Sequence, residues 1–144
     1  MIYTDKTKRA IKLCFKAHEG QVDKSGMPYV HHPLHLAEQM DDEDSTIVAL
    51  LHDVVEDTEY TIKDLKGMGF GDAVIEAIDI MTHSPDVPYM DYVKEIEKNT
   101  IARKVKLADL NHNSDLTRLN HEPTSHDLER FEKYKKAIEL LEKE

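Results

Sequence analysis

Cysteine is almost missing from these 144 residues, Cys14 being the only one. A single thiol excludes intramolecular disulfides and cysteine-based zinc sites. Its neighbours in AIKLCFKA are apolar at helical spacing, which assigns it to the core rather than to nucleophilic chemistry. No apolar run approaches the roughly 20 residues that span a bilayer. The opening MIYTDKTKRA has no hydrophobic signal region, so a cytoplasmic protein is expected. Positive charge is scarce as well. With 19 basic against 29 acidic residues the net charge is −10, a field that repels nucleic acid and anionic membranes. A phosphorylated small molecule would need a local cation or metal to bind, which directs attention to the nine histidines.

Strand signals are missing too. No stretch sustains apolar/polar alternation, and there is no internal repeat and no low-complexity linker. At 40% apolar and 33% charged, residues 1–144 suit one globular domain with a single core. What is present is helical periodicity. The spacing predicts helices over about 3–22 and 33–40, the second with Pro33 in its first position and His31 or His32 as its cap. The acidic DDEDST opens a third helix that carries through LLHDVVEDT, since carboxylates favour a helix N-terminus. Thr61, with Asp64 three residues on, starts a short helix that stops at GMGFG. Helices over 72–81, 89–97, 100–116 and 125–141 complete an all-α bundle of about seven or eight helices.

Three segments carry candidate chemistry. In LLHDVVEDT, a helical projection gathers Leu50, Leu51, Val54 and Val55 on one arc. His52, Asp53, Glu56 and Asp57 share the other arc, either as a solvated polar face or as a metal-dependent centre. In IARKVKLADLNHN, Asp109 and Asn113 continue the stripe of Ala102 and Val105 that should face the core. A buried carboxylate costs several kcal/mol unless it is paired or binds metal. Lys106 or Arg103 is a candidate partner, and a metal is the alternative. In YVHHPLHLAEQM, His32 sits beside Pro33 at a helix start, while His31 and His35 are weaker candidates. Together His32, His52, Asp53 and Asp109 would make a borderline-to-hard donor set suited to Mn²⁺, Fe²⁺ or Zn²⁺ with positions left open.

The order H…HD…D in PYVHHP, LLHDVVEDT and VKLADLNHN resembles the HD-domain metal phosphohydrolases. Within them it is most similar to the hydrolase domain of the RelA/SpoT family and to the stand-alone small alarmone hydrolases. The similarity runs over residues 16–119. It implies packed helices around one Mn²⁺ ion held by His32, His52, Asp53 and Asp109, with Glu56 and Asp57 positioning and activating the attacking water. It further implies Asn113 and Lys24 near the substrate, and removal of the 3′-pyrophosphate of ppGpp or pppGpp. Two departures stand near the nucleotide. The family's arginine–lysine pair reads Asp23-Lys24 here, which predicts weaker guanine preference, and its ADRLHN reads ADLNHN. Nothing matches a synthetase domain.

The nearest rival keeps the centre but changes the substrate to a nucleoside monophosphate or NADPH. A non-catalytic nucleotide-binding module is the rival from another class, and Glu56 and Asp57 speak against it. Homo-oligomerisation is left open. GMGFG lacks the preceding strand and the Gly-Lys-Ser/Thr of a phosphate loop. ARKVK is read as a solvated face.

Overall fold

The computed structural model describes residues 1–143. Among them are nine α-helices and one short 3₁₀ turn, and no strand. In order the helices are α1 (Asp5–Ala17), α2 (His31–Glu38), α3 (Glu43–Leu51), α4 (Val54–Asp57) and α5 (Ile62–Gly67), then α6 (Asp72–Met81), α7 (Tyr89–Glu97), α8 (Thr100–Asn113) and α9 (Ser125–Glu142). The 3₁₀ turn, Leu116–Arg118, follows α8. No helix is long and apolar enough to cross a membrane among the described residues.

α3 is the axis of the bundle, packed by α1, α2, α6 and α8. Its second half, IVALL, is apolar all round and wholly buried, and Ser45 and Thr46 are buried before it. Asp42 caps it, accepting from the Ser45 amide at 2.7 Å, with Glu43 and Asp44 in the first turn. α9 closes the far side against α7 and α8, started by a reciprocal Thr124–Asp127 box. Cys14 is wholly buried, and burial together with nearby Asp53 raises its thiol to about 12, so it is inert packing.

Several boundaries differ from the sequence expectation. α1 is shorter than 3–22, because a Thr4–Thr7 box starts it and the chain turns at Gly20 with φ +79°. α2 begins at His31, so His31 and His32 lie in its first turn rather than capping it. Pro33 is its third residue, where a helical amide has no partner to lose. α8 ends at Asn113, and Leu116 belongs to the 3₁₀ turn. The most consequential difference is in LLHDVVEDT, which is not one helix. His52 and Asp53 form a turn between α3 and α4. The Ala49 carbonyl, the acceptor of the Asp53 amide in a continuous helix, instead contacts His52 Nδ1 at 2.8 Å.

Candidate metal centre

α2, the α3–α4 turn and α8 each aim polar side chains at one point. His32 Nε2 lies 2.8 Å from Asp109 Oδ1 and 4.0 Å from Asp53 Oδ2. His52 Nε2 lies 3.0 Å from Asp53 Oδ2 and 3.6 Å from Asp109 Oδ1. One donor atom each from His32, His52 and Asp109 fall within 4.8 Å of one another. The two histidines are 3% exposed and Asp109 5%, so the centre is shielded from water. All four residues named from the sequence therefore meet, although they come from segments 77 positions apart at the widest.

The hydrogen bonds behind these atoms fix what they present. A carbonyl only accepts, so His52 Nδ1 carries the proton shared with Ala49. Its Nε2 is buried without a hydrogen-bond partner, yet faces two carboxylate oxygens. A lone pair aimed at anionic oxygens is unfavourable unless a cation lies between them. Burial opposes charge on His52, but Asp53 and Asp109 outweigh it and raise its pKa well above the imidazole range. A proton or a metal ion on Nε2 relieves that contact, and two imidazoles with two carboxylates are a donor set that fits a divalent metal. His32 Nδ1 meets His112 Nδ1 at 2.7 Å. Burial and Arg118 push His112 down to about 3, which keeps it neutral. With His32 Nδ1–H donating to it, His32 Nε2 also presents a lone pair to the centre.

Asp109 is clasped from outside. Lys106 Nζ donates to Oδ2 at 2.9 Å and Asn113 Nδ2 to Oδ1 at 3.1 Å. Burial alone would raise this carboxyl, but Lys106 and the two imidazoles hold it well below the carboxylate range. The sequence thus offered a cation partner and a metal as alternatives for Asp109, and the geometry has Lys106 in place with the second oxygen turned to the imidazoles. Asp53 accepts from the Tyr29 hydroxyl. Burial and Asp53 raise the Tyr29 pKa, so Tyr29 remains a phenol donor.

Glu56 and Asp57 lie one turn beyond, on α4, with exposed side chains rather than on an inner face. Glu56 Oε1 accepts from the His83 backbone N–H at 3.1 Å, and the Asp57 carbonyl accepts from Gln21 Nε2 at 3.2 Å. Desolvation and then Asp53 raise both carboxyls above their ordinary values. Such a shift suits groups that must take up a proton.

A cavity of about 340 Å³ opens beside His32. Lys24 and Asn113 both line it, and so do Tyr29, Arg118 and Arg130. His31 and His35 stay exposed at the surface and flank His112, with the His35 ring stacked at 4.2 Å.

The HD domain family model matches residues 10–122. The chain belongs to the HD domain family. Among relatives, a GTP pyrophosphokinase of Streptomyces coelicolor is 36% identical over 147 residues, covering 93% of this chain and 16% of that protein. The bifunctional (p)ppGpp synthase/hydrolase SpoT of Escherichia coli K12 is 33% identical over 122 residues, covering 74% of this chain and 17% of that protein. This HD-domain chain thus spans about one sixth of the length of these curated relatives. A solved structure described as a metazoan ortholog of SpoT that hydrolyses ppGpp and plays a role in starvation responses superposes with a TM-score of 0.77. It shares 23% identity, with 99% of this chain and 88% of that one covered, and establishes the shared fold.

Sequence reasoning did not single out Tyr29, His112, Arg118, Arg130, Phe131 or Tyr134. Tyr29 and His112 sit inside the motifs quoted above, and the available signal was their place three residues from His32 and from Asp109 respectively. The others had none, since the docking of α9 and the 3₁₀ turn against the first loop is tertiary.

Proposed function

We propose that this HD-domain protein is a metal-dependent phosphohydrolase that releases pyrophosphate from the 3′ position of guanosine 3′,5′-bis(diphosphate) or its 5′-triphosphate analogue. The observation that carries the reading is the unpartnered His52 Nε2, buried against two carboxylates beside a raised-pKa acid pair. The names of the relatives, and the fold shared with a ppGpp-hydrolysing protein, support the substrate class. The reading concerns the hydrolytic half of such activities, because the curated relatives are far longer than this chain.

In this reading His32, His52, Asp53 and Asp109 hold one divalent ion, Mn²⁺ foremost, with Fe²⁺ and Zn²⁺ also matched to the donor set. When bound, the ion supplies Lewis acidity and offsets charge on the phosphoryl oxygens. Lys106, Asn113 and Tyr29 keep the two carboxylates aimed inward. Glu56, held by the His83 amide, and Asp57 orient the attacking water and accept its proton. From the cavity wall Lys24 meets a phosphate and Asn113 contacts the nucleotide.

A substrate panel with Mn²⁺ tests the reading: ppGpp, pppGpp, NADPH and simple nucleoside monophosphates. Selective pyrophosphate release from the first two is expected. Cleavage of NADPH or a monophosphate with none of ppGpp would give the centre a different substrate, and nucleotide binding with no turnover would make the chain a sensor.

A further inference from the structure

Three carboxylates and three cations share the cavity wall, Asp23, Asp115 and Asp127 against Lys24, Arg118 and Arg130. Both guanidinium groups are already committed. Arg118 Nη2 stands 3.5 Å from Asp23 Oδ2, and its Nη1 donates to the His112 carbonyl at 2.9 Å and to Asn113 Oδ1 at 3.2 Å. Arg130 Nη2 pairs with Asp127 Oδ1 at 2.6 Å. Asp23 is fixed in turn, its Oδ1 accepting from the Ser25 and Met27 amides at 2.9 and 3.0 Å. Ser25 Oγ donates to the Arg118 carbonyl at 2.6 Å, tying this loop to the 3₁₀ turn.

Asp115 and Asp127 stay charged. Hydrogen bonds from Thr117 to Asp115 and from Thr124 to Asp127 keep both carboxyls below their usual range. Lys24 is left as the wall's unpaired cation among the described residues. The rest of the wall is largely apolar, with Val22, Leu116, Leu119, Phe131 and Tyr134. At about 340 Å³ the space is near the lower end of ligand pockets, which run to roughly 1,000 Å³.

Such a wall welcomes a flat, uncharged group and gives an oligophosphate little to pair with. Each arginine's charge is cancelled by its own carboxylate within 3.5 Å. One phosphate entering the cavity would find Lys24, but each further one would shed water without gaining a free cation and would face three carboxylates. We propose that this cavity takes the nucleoside and selects against charge on its 5′ side, so that the preferred substrate is a nucleoside 3′-diphosphate with a single 5′-phosphate. Each further 5′-phosphate lowers kcat/KM. This rests on the hydrolase reading above and assigns that site its charge preference.

The test compares guanosine 3′-diphosphates bearing a 5′-mono-, di- or triphosphate, with Mn²⁺, by initial rates of pyrophosphate release. kcat/KM falls about three- to tenfold per added phosphate, mainly through KM. Asp23→Asn keeps the acceptor for Ser25 and Met27 but frees the Arg118 charge, and it flattens or reverses the gradient. Wild-type protein supplies a check that needs no variant: kcat/KM for the 5′-diphosphate form changes less than about twofold between roughly 50 and 200 mM salt. A flat or rising gradient in wild type, an unchanged gradient in Asp23→Asn, or a steep loss with salt overturns the inference. Failure to cleave any of the three overturns the hydrolase reading instead.

Discussion

Asp109→Asn keeps the shape of the side chain and removes one charge where two imidazoles and an ammonium converge. Its Oδ1 is 2.8 Å from His32 and 3.6 Å from His52, and its Oδ2 is 2.9 Å from Lys106. The Lys106 side chain is only 13% exposed, so the substitution strands a buried cation. Removing one partner of a buried pair costs about 3–5 kcal/mol. For a chain of this length each kcal/mol moves Tm by about 2–4 °C, so the metal-free variant melts roughly 6–20 °C below wild type. Metal adds a second contrast. At about 100 times its Kd, Mn²⁺ stabilises the wild type by about 2.7 kcal/mol, a rise of roughly 5–11 °C. The variant, lacking a ligand, gains less than about 2 °C at the same concentration. Calorimetric melts with and without Mn²⁺ read both effects. An unchanged metal-free Tm would refute the buried-pair argument, and an undiminished Mn²⁺ shift would remove Asp109 from the ligand set.

Glu56→Gln removes the basicity but keeps the acceptor for the His83 amide, so kcat falls about 10²-fold or more while Mn²⁺ stays bound; wild-type turnover returns Glu56 to the solvated surface. Because desolvation and Asp53 raise both Glu56 and Asp57, their proposed role as bases predicts that kcat declines as pH drops through a limb lying above the ordinary carboxylate pKa of about 4; a limb below that value contradicts the assignment. Asp109 behaves oppositely in stability. Its carboxyl is held below its unfolded value, so its contribution is complete above about pH 4 and is lost as pH falls through the lower folded pKa, which acid melts of wild type and Asp109→Asn compare. Tyr29→Phe deletes the donor to Asp53 and weakens Mn²⁺ binding about tenfold, measured by titration calorimetry; an unchanged Kd makes the contact incidental.

Much of the fold was legible because its punctuation is local. Helices over 72–81 and 89–97 match residue for residue, bracketed by Gly71, the HSPDVP break and Asn99. Thr61 and Asp64 form the expected box. The break at His52 and Asp53 was not legible, because the apolar stripe runs straight across it and the cause is a side chain competing for the Ala49 carbonyl. Asp109 declared itself as an acid on a core-facing stripe, and Lys106 as one of its partners. The cavity wall was different. Arg118 pairs with Asp23 across the whole domain, so the missing arginine of the first loop reads as a loss in sequence, while in space an arginine stands beside it. Arg130 and Tyr134 reach the cavity only because α9 docks on α7 and α8, which no local pattern encodes.

The most direct measurement of the central claim is product analysis after turnover of ppGpp by the wild-type protein with Mn²⁺ in ¹⁸O-labelled water. GDP and pyrophosphate are expected in equal amounts, with one labelled oxygen in the pyrophosphate, none in the GDP, and no turnover once the metal is chelated. Label in the GDP, orthophosphate in place of pyrophosphate, or turnover that survives chelation would contradict it.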